Sequence, residues 1–315
     1  MSFSREIKDE IMSQPIEDDG CLSFLCGLVM SIGKLIDGKI QLVTDIYELF
    51  DYTNKILKRL YGQNAEITIF ESSTINKTEY YNIDFDQALT QKIVNDLNLY
   101  DENHNVCLDI DLDRHLVNTE EGLCSFVKAI TIACSTSAIK LSSAPNEKTY
   151  SGYHLEWTNK NYDLLVTLST LLNHYAIFPK LIERKNTFVL YLKEAQAISD
   201  VFALVGAYQA VLSLQNEMAT REVRNSVNRQ TNCMNANISK TVSANMKQLE
   251  AIEIISSTIG LENLPPQLEE ACLLRLANTE ESLSELVSLS GNTLSKSGLN
   301  HRFNKIMKLA KELKD

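Results

Sequence analysis

The same order of predicted elements occurs twice in this chain of 315 residues, and this repetition restricts the fold more than any other feature. After an acidic first helix at residues 4–12, the hydrophobic pattern predicts helix, two strands, helix, two strands and helix. The series then recurs at an offset of a little over a hundred residues, which indicates an internal duplication. The predicted helices are 25–33, 45–60, 85–97, 121–134, 161–175 and one from 196 onward, and the predicted strands are 35–36, 39–43, 66–70, 79–83, 138–141, 153–158, 180–184 and 188–193. Two αββαββ units without a βαβ period indicate antiparallel sheets and therefore an α+β fold.

Residues 282–313 carry the pattern of two helices joined by a short turn. Ser282 and Glu285 form a capping box that begins the first helix, and Gly291 is placed to end it. After a turn at residues 292–295, the second helix repeats apolar residues every three or four positions, which predicts one face turned toward a core. These apolar residues are Leu299, Phe303, Ile306, Ala310 and Leu313. Because the opposite face carries hydrogen-bond donors and cations, the pattern is typical of a helix-turn-helix, whose second helix enters the DNA major groove. Helical bundles with a solvated basic face show the same pattern, so that alternative stays open.

The outward face of this second helix supplies nine candidates for contact with DNA. Arginine and asparagine can recognise guanine and adenine edges through paired hydrogen bonds, whereas lysines mainly bind phosphate. Lys308 and Lys311 are accordingly expected to neutralise phosphates. The nine candidates are Lys296, Ser297, Asn300, His301, Arg302, Asn304, Lys305, Lys308 and Lys311.

Charge is distributed unevenly along the chain, whose net charge is −11. Residues 1–220 hold 18 Lys and Arg against 30 Asp and Glu, whereas residues 221–315 hold 12 against 11. The last 20 residues alone hold 6 cations against 2 carboxylates. Since phosphate binding requires a local density of cations, we expect any nucleic-acid surface at the C-terminal end.

A seam of polar residues is predicted on one helix within residues 207–259, a stretch without proline or glycine. Its members are spaced by three or four positions and therefore share a helical face. They are Arg221, Asn225, Asn228, Asn232 and Asn235, with Arg224 and Arg229 beside them. Because asparagine is a mediocre helix former, the seam suggests partners, either a DNA backbone or the first domain, and a solvated face is the alternative. Pro265 and Pro266 then open the C-terminal helical bundle.

The cysteines and the apolar runs indicate a cellular compartment. The seven cysteines show no paired spacing, which predicts reduced thiols. The longest apolar run, residues 22–36, is too short and too polar to span a bilayer, and the first twenty residues are too acidic for a secretory signal. We therefore expect a cytoplasmic, nucleoid-associated protein without membrane contact.

Three segments resemble the WhiA family of bacterial sporulation and cell-division regulators. Residues 282–302, SLSELVSLSGNTLSKSGLNHR, look like that family's helix-turn-helix, and residues 221–252 look like its connecting region. The opening MSFSREIKDEI and residues 153–157 match its first domain more loosely. The resemblance implies a first domain shaped like a LAGLIDADG homing endonuclease, fused to an all-α helix-turn-helix domain like that of sigma factors. The expected boundaries are 1–115 and 116–220 for two LAGLIDADG-like halves, 221–260 for the connecting region and 261–315 for the helix-turn-helix domain.

The resemblance also implies a regulator without nuclease activity, and the residues allow an independent check. A LAGLIDADG nuclease holds a divalent metal with an acid at the eighth position of each motif copy, because hard cations prefer carboxylate oxygens. When the motif is laid over residues 25–33 and 127–135, those positions are Ile32 and Cys134. Neither side chain supplies such oxygens, so we predict no metal-dependent cleavage. The second copy also departs from the usual glycine pattern at Val127 to Ala129, which leaves the closeness of the helix packing open.

Two other groups of residues imitate metal or catalytic sites. An acidic run partly matches an EF-hand loop: Asp109, Asp111, Asp113 and Glu120. Arg114 occupies the position that needs glycine, so we expect a charged strand edge instead. His154 and Glu156 share a strand face and are expected to form a structural pair, since no nucleophile is evident nearby. We expect no metal, no cofactor and no small-molecule substrate.

The favoured hypothesis is a sequence-specific transcription regulator whose partner is double-stranded DNA. One alternative is a protein-interaction or nucleoid-associated scaffold, in which the acidic N-terminal domain binds another transcription or division protein. The other is an active LAGLIDADG DNA endonuclease.

Overall fold

The computed structural model of the protein describes residues 2–71, 79–109, 112–139, 141, 152–291 and 294–314. The chain divides into two compact units, Met1–Arg221 and Glu222–Asp315, and each has its own hydrophobic core. Within the described ranges, none of the helices combines the length and the apolar character that crossing a bilayer requires. All seven cysteines lie in those ranges and are free thiols.

The first unit begins with helix α1 (Phe3–Ser13) and then repeats one series of elements twice. The first copy consists of α2 (Asp18–Ile32), β1 (Gly33–Ile36), β2 (Lys39–Thr44), α3 (Tyr47–Tyr61), β3 (Glu66–Glu71), β4 (Glu79–Asp84) and α4 (Gln87–Asp96). The second copy consists of α5 (Glu120–Cys134), β5 (Ser135–Ser137), β6 (Leu155–Asn159), α6 (Tyr162–Asn173), β7 (Lys180–Arg184), β8 (Thr187–Leu192) and α7 (Ala195–Leu204).

The described strands form two four-stranded sheets with equivalent strand orders, β1-β2-β4-β3 and β5-β6-β8-β7. All of these pairings are antiparallel. One face of each sheet closes the core: Leu42 lies opposite Ile83 in the first sheet, and Trp157 lies opposite Leu190 in the second. All four of these side chains are fully buried. The predicted α+β class and the duplication are confirmed.

Helices α2 and α5 pack directly against each other. Gly27 permits this contact, because a Cβ atom there would lie 2.7 Å from the Ala129 Cβ atom and 2.9 Å from the Phe126 carbonyl oxygen. The two motif helices therefore approach closely even though the second copy departs from the usual glycine pattern.

The interface between α2 and α5 contains one contact twice, and the two helices exchange roles between the two copies. Gly20 of α2 lies against Ser125 of α5, and Gly122 of α5 lies against Ser23 of α2. The two contacts are related by the same offset along the chain. The helix pair thus has an approximate twofold symmetry, which is the expected result of a duplication.

The first strand of the second copy is not where the sequence predicted it. The strand expected at residues 138–141 lies earlier, at β5, which follows α5 without a loop. Its backbone pairs with β6, Ser135 opposite Trp157, so its Ser-Thr-Ser sequence needs no apolar pattern to form a strand. Lys140, inside the predicted segment, lies outside the described residues.

Asp113 and Glu120, two members of the acidic run, do not lie on a strand edge, which corrects the expectation. Asp113 accepts a hydrogen bond from the His115 amide (3.0 Å) and caps a 3-10 turn, Arg114–Val117, after which Glu120 begins α5. Asp111 lies outside the described residues. The expected pair of His154 and Glu156 is present, with Nε2 and Oε2 2.9 Å apart.

The second unit consists of helices. Helix α8 (Tyr208–Thr258) continues from the first unit into the second, as the absence of proline and glycine predicts. It is followed by α9 (Pro266–Ala277), α10 (Leu283–Leu289) and α11 (Lys296–Lys314). Pro266 lies in the first turn of α9, where its missing N–H costs no hydrogen bond. The core of this unit includes Ile252, Ile255, Cys272, Leu286 and Phe303.

Candidate nucleic-acid interface

Helix α10 begins and ends where the sequence predicts. The Ser282 hydroxyl accepts a hydrogen bond from the Glu285 amide (3.3 Å), and the Glu285 carboxylate accepts one from the Ser282 amide (2.7 Å). These bonds complete the capping box and hold the pKa of Glu285 below its usual value, whereas repulsion from Glu285 raises the pKa of Glu281. Gly291 follows the helix with φ +70°, a conformation that favours glycine. Of the predicted turn at 292–295, residues 292 and 293 lie outside the described ones.

Helix α11 turns one stripe of apolar residues inward. The Ser295 hydroxyl accepts a hydrogen bond from the Gly298 amide (3.0 Å) and caps the helix, which therefore already includes Lys296. The fully or nearly fully buried residues are Leu299, Phe303, Ile306 and Ala310, as predicted. Leu313, also predicted to face the core, is half-buried.

The outer face of α11 presents eight of the nine predicted DNA-contact residues to solvent. They are Lys296, Ser297, Asn300, His301, Asn304, Lys305, Lys308 and Lys311. The Lys308 ammonium lies 3.8 Å from the Glu312 carboxylate, and both side chains are largely exposed. Such a surface ion pair contributes little and can be exchanged for a phosphate. This face therefore combines hydrogen-bonding side chains with exposed cations.

Arg302, the ninth predicted residue, does not point outward. Its Nη1 atom donates hydrogen bonds to the Glu270 carboxylate (2.8 Å) and to the Gln267 carbonyl (3.1 Å), both on α9, and only 16% of its side chain is exposed. The helical pattern of α11 places Arg302 on a flank but cannot show that a carboxylate of another helix lies within reach. Arg302 therefore connects α11 to α9 in this structure.

A second arginine, Arg275 of α9, is fully buried inside the second unit. Its Nε atom donates to Gln248 Oε1 (3.0 Å), and its Nη1 atom donates to the carbonyl oxygens of Asn278 (3.2 Å) and Glu281 (2.6 Å). Its guanidinium carbon lies 5.5 Å from the centroid of the Phe303 ring, within the range of a cation–π contact. Burial lowers the pKa of this guanidinium, which nevertheless stays protonated because the pKa of arginine is so high.

Asn245 of α8 supports the same loop. Its side-chain nitrogen lies 3.1–3.3 Å from the carbonyl oxygens of Thr279, Glu280 and Glu281. The sequence patterns did not predict a role for Asn245, Gln248 or Arg275. A signal was present, because Asn245 and Gln248 continue the buried face of Ile252 and Ile255 at helical spacing, and polar residues at core positions need partners.

The predicted polar seam on α8 has mixed surroundings. Arg221 belongs to the first unit, where its Nε atom donates to Glu217 (2.6 Å) and its guanidinium lies 4.4 Å from the centroid of the Tyr153 ring. Arg224 is half-buried. The exposed members are Asn225, Asn228, Arg229, Asn232 and Asn235. Their exposure is compatible with a solvated face and with a DNA-backbone contact, so the role of the seam stays a prediction.

Ile32 and Cys134, which the sequence predicts at the acid positions of the nuclease motif, lie at the ends of α2 and α5. The thiol of Cys134 lies 4.0 Å from the carbonyl oxygen of Ser31, next to Ile32, and Asn159 donates to both that oxygen (2.9 Å) and the sulfur (3.3 Å). Burial raises the pKa of the Cys134 thiol, which is therefore protonated at neutral pH. Ile32 and Cys134 pack the helix ends and offer no carboxylate oxygen there. Across the described part of the chain, no three His, Cys, Asp or Glu side chains are grouped closely enough to hold a metal ion.

Two family models match consecutive parts of the chain. The model of the WhiA LAGLIDADG-like domain matches residues 142–224, and the model of the WhiA C-terminal helix-turn-helix domain matches residues 227–310. The second match contains α9, α10 and all but the last four residues of α11, and the first contains the second sheet apart from β5.

Relatives of known name match the chain over its whole length. A protein of Staphylococcus epidermidis named probable cell division protein WhiA is 33% identical over 100% of this chain and 98% of its own length. A protein of the same name from Clostridium perfringens is 32% identical over 100% of this chain and 99% of its own length. The crystal structure of full-length DUF199/WhiA from Thermotoga maritima superposes with a TM-score of 0.57 and 22% identity and covers 99% of both chains, which supports the fold. The LAGLIDADG-like unit, the helix-turn-helix unit and the full-length matches together show that the chain belongs to the WhiA family.

Proposed function

We propose that this protein is a sequence-specific DNA-binding regulator that acts in cell division, with α11 as its recognition helix. The observation that carries the proposal is the outer face of α11, where eight polar or cationic side chains are exposed on the second helix of a helix-turn-helix. The names of the relatives, probable cell division proteins, supply the process. Roles in sporulation or chromosome segregation belong to the same proposal.

The recognition surface divides into two kinds of contact. Four exposed side chains carry groups that can hydrogen-bond base edges: Ser297, Asn300, His301 and Asn304. Of these four, Asn304 lies nearest to the middle of the helix. The lysines bind phosphate and fix the position of the helix in the groove. Arg302, bound to α9, holds α11 in place and is not proposed as a base contact.

In vitro selection from a random DNA library, followed by binding titrations, tests this proposal with the full-length chain. The selected DNA should bind at least about 1000-fold more tightly than random DNA of the same length, the lower end of the range for specific regulators. Chromatin immunoprecipitation with sequencing should recover the same site next to division genes. Equal affinity for selected and random DNA would contradict the proposal.

We also propose that the protein does not cleave DNA. The nuclease reaction needs carboxylates that hold a divalent cation beside the scissile phosphate, and the equivalent helix ends carry Ile32 and Cys134. Supercoiled plasmid incubated with Mg²⁺ and excess protein should stay supercoiled. Conversion to nicked or linear plasmid that disappears on adding EDTA would contradict this part.

The charge of the first unit favours a second role, the recruitment of a protein partner. Residues 1–220 hold 18 cations against 30 carboxylates, a balance that opposes tight binding to phosphate. A transcription or division protein with a basic surface fits this charge. A variant with the α11 lysines neutralised should lose DNA but keep such a partner, whereas loss of both would indicate that the partner binds through DNA.

A further inference from the structure

The buried arginine of the second unit, Arg275, contacts three other parts of that unit at once. Arg275 belongs to α9 and donates hydrogen bonds to Gln248 of α8 and to the loop that joins α9 to α10. Its guanidinium also lies against the ring of Phe303, the largest buried side chain of α11. A single planar group thus contacts the connecting helix, the loop before α10 and the inner side of the proposed recognition helix.

The loop between α9 and α10 depends on these contacts for its place. The carbonyl oxygen of Glu281 accepts hydrogen bonds from both Arg275 and Asn245, and it lies directly before the capping residue Ser282. Fixing that oxygen fixes where α10 begins. Because Leu286 of α10 and Phe303 of α11 belong to one core, the start of α10 and the orientation of α11 are coupled.

Stability alone does not account for a guanidinium in this position. A buried cation loses its hydration, and replacement by a packed apolar residue is often neutral or stabilising. Arg275 also leaves its Nη2 atom buried without a hydrogen-bond partner among the described residues. What the guanidinium offers and an apolar side chain cannot is directional bonding to specific carbonyl oxygens, since its donors form a rigid fork.

Small rotations of α11 would matter for base recognition. Side chains reach about 5 Å from a helix axis, so a roll of about 10° moves their tips by about 1 Å. Displacements of that size are enough to weaken a site that must hold hydrogen bonds to base edges. The ring of Phe303 is adjacent in sequence to Asn304, so the group that locates Phe303 also locates Asn304.

From these contacts we infer that Arg275 is a positioning residue for DNA recognition, which orients the exposed face of α11 through Phe303 and the loop at residues 278–281. This inference rests on the proposed function. It assigns the specificity for one DNA sequence partly to a side chain that no DNA can reach. Two residues of α8 support this arrangement, since Gln248 binds the guanidinium and Asn245 binds the loop.

The test uses the full-length chain with Arg275 and Gln248 both replaced by methionine, which exchanges the polar pair for apolar side chains of similar volume. Affinities are measured for the selected DNA and for random DNA of equal length, and a thermal melt is recorded for each protein. The ratio of the two affinities should fall by about 10-fold or more, comparable to the loss of one base contact, while the melting temperature stays near that of the parent chain. The control is Cys272→Ala, a buried residue of the same helix, which should lower the melting temperature and leave the ratio unchanged.

A double variant that melts like the parent chain and keeps its full affinity ratio would overturn the inference, as would a fall in the ratio no larger than that of Cys272→Ala. If the double variant does not fold, Asn245→Leu supplies the same measurement with Arg275 intact and should also lower the ratio. Arg275→Lys, which keeps the charge but not the fork, should retain random-DNA binding and still lose preference. If the parent chain itself shows no preference for any DNA, the proposed function fails, and this inference fails with it.

Discussion

Helices α2 and α5 bury most of their residues, whereas α10 and α11 bury few. Ten of the fifteen residues of α2 are buried, whereas four of the nineteen residues of α11 are buried. A helix that is apolar on most sides has no surface left for a ligand, while a helix that buries one stripe keeps the rest of its surface for contacts. The first pair therefore stabilises the fold, whereas the second pair exposes polar and charged side chains that can contact a ligand.

This difference explains how a LAGLIDADG-like fold can form when the predicted acid positions carry Ile32 and Cys134. The contact between α2 and α5 depends on Gly27, Gly20 and Gly122, none of which is a metal ligand. Ile32 and Cys134 are the last residues of α2 and α5, away from these glycines. Packing and metal binding therefore depend on different residues, so metal binding can be absent while the packing is intact.

The largest expected effect is a loss of stability in the second unit that leaves the stability of the first unit unchanged. Replacing Phe303 by Ala should lower the free energy of unfolding of the second unit by about 3–5 kcal/mol, the usual cost of removing a buried aromatic ring. Trp157 is the only tryptophan of the chain and lies fully buried in the first unit. Its fluorescence transition in denaturant should stay unchanged while the loss of helix measured by circular dichroism begins earlier. A matching shift of both transitions would show that the units unfold together.

The next effect acts on the other helix pair. Gly27→Ala should destabilise the first unit by about 1–3 kcal/mol, because the added carbon lies too close to Ala129 and to a backbone oxygen. The Trp157 fluorescence transition measures this loss. Gly152→Ala is the control, since none of the described residues has an atom within 4 Å of the added carbon there. Equal stability of the two variants would mean that α2 and α5 can separate without cost.

A third prediction compares two neighbouring residues of α11. Asn304→Ala should weaken binding to the selected DNA by about 1–3 kcal/mol if it contacts a base, and leave the melting temperature unchanged. Arg302→Ala should instead lower the stability of the second unit by about 1 kcal/mol, because its partner Glu270 belongs to α9. Binding titrations and thermal melts on both variants decide between these roles. The exposed Ser256→Ala, on α8, should change neither quantity.

The smallest effect concerns the lysines. Lys308→Gln should reduce the slope of log affinity against log salt concentration by about 0.9, the release of one counterion, for selected and random DNA alike. Titrations at several salt concentrations measure the slope. Lys314→Gln serves as a comparison, because that lysine lies 3.3 Å from Glu250 at the far end of the helix. An unchanged slope for Lys308→Gln would remove this residue from the phosphate-binding set.

Patterns along one helix predicted much of this structure. The capping box at Ser282, the glycine after α10 and the buried stripe of α11 depend on neighbours within four residues, so they can be read from the sequence. The order of helices and strands and the duplication were likewise accessible from periodicity.

Contacts between elements were less accessible. Arg302 was assigned to DNA, although Glu270 of α9 binds it, and Arg275 was overlooked, although Gln248 of α8 does. Neither contact could be predicted, since helical spacing gives the direction of a side chain but not what lies opposite. Strand β5 was misplaced for a related reason, because it is held by backbone pairing with β6 and not by apolar side chains.

The reciprocal contact between α2 and α5 determines how either half of the first unit would behave by itself. A fragment of residues 1–115 would expose to water the apolar surface that α2 buries, which is a strong drive to self-association. We expect such a fragment to sediment as a homodimer or to precipitate, and a stable monomer would contradict this. The intact first unit resembles a dimer whose two protomers are joined covalently. One half can therefore change its surface without the same change in the other half.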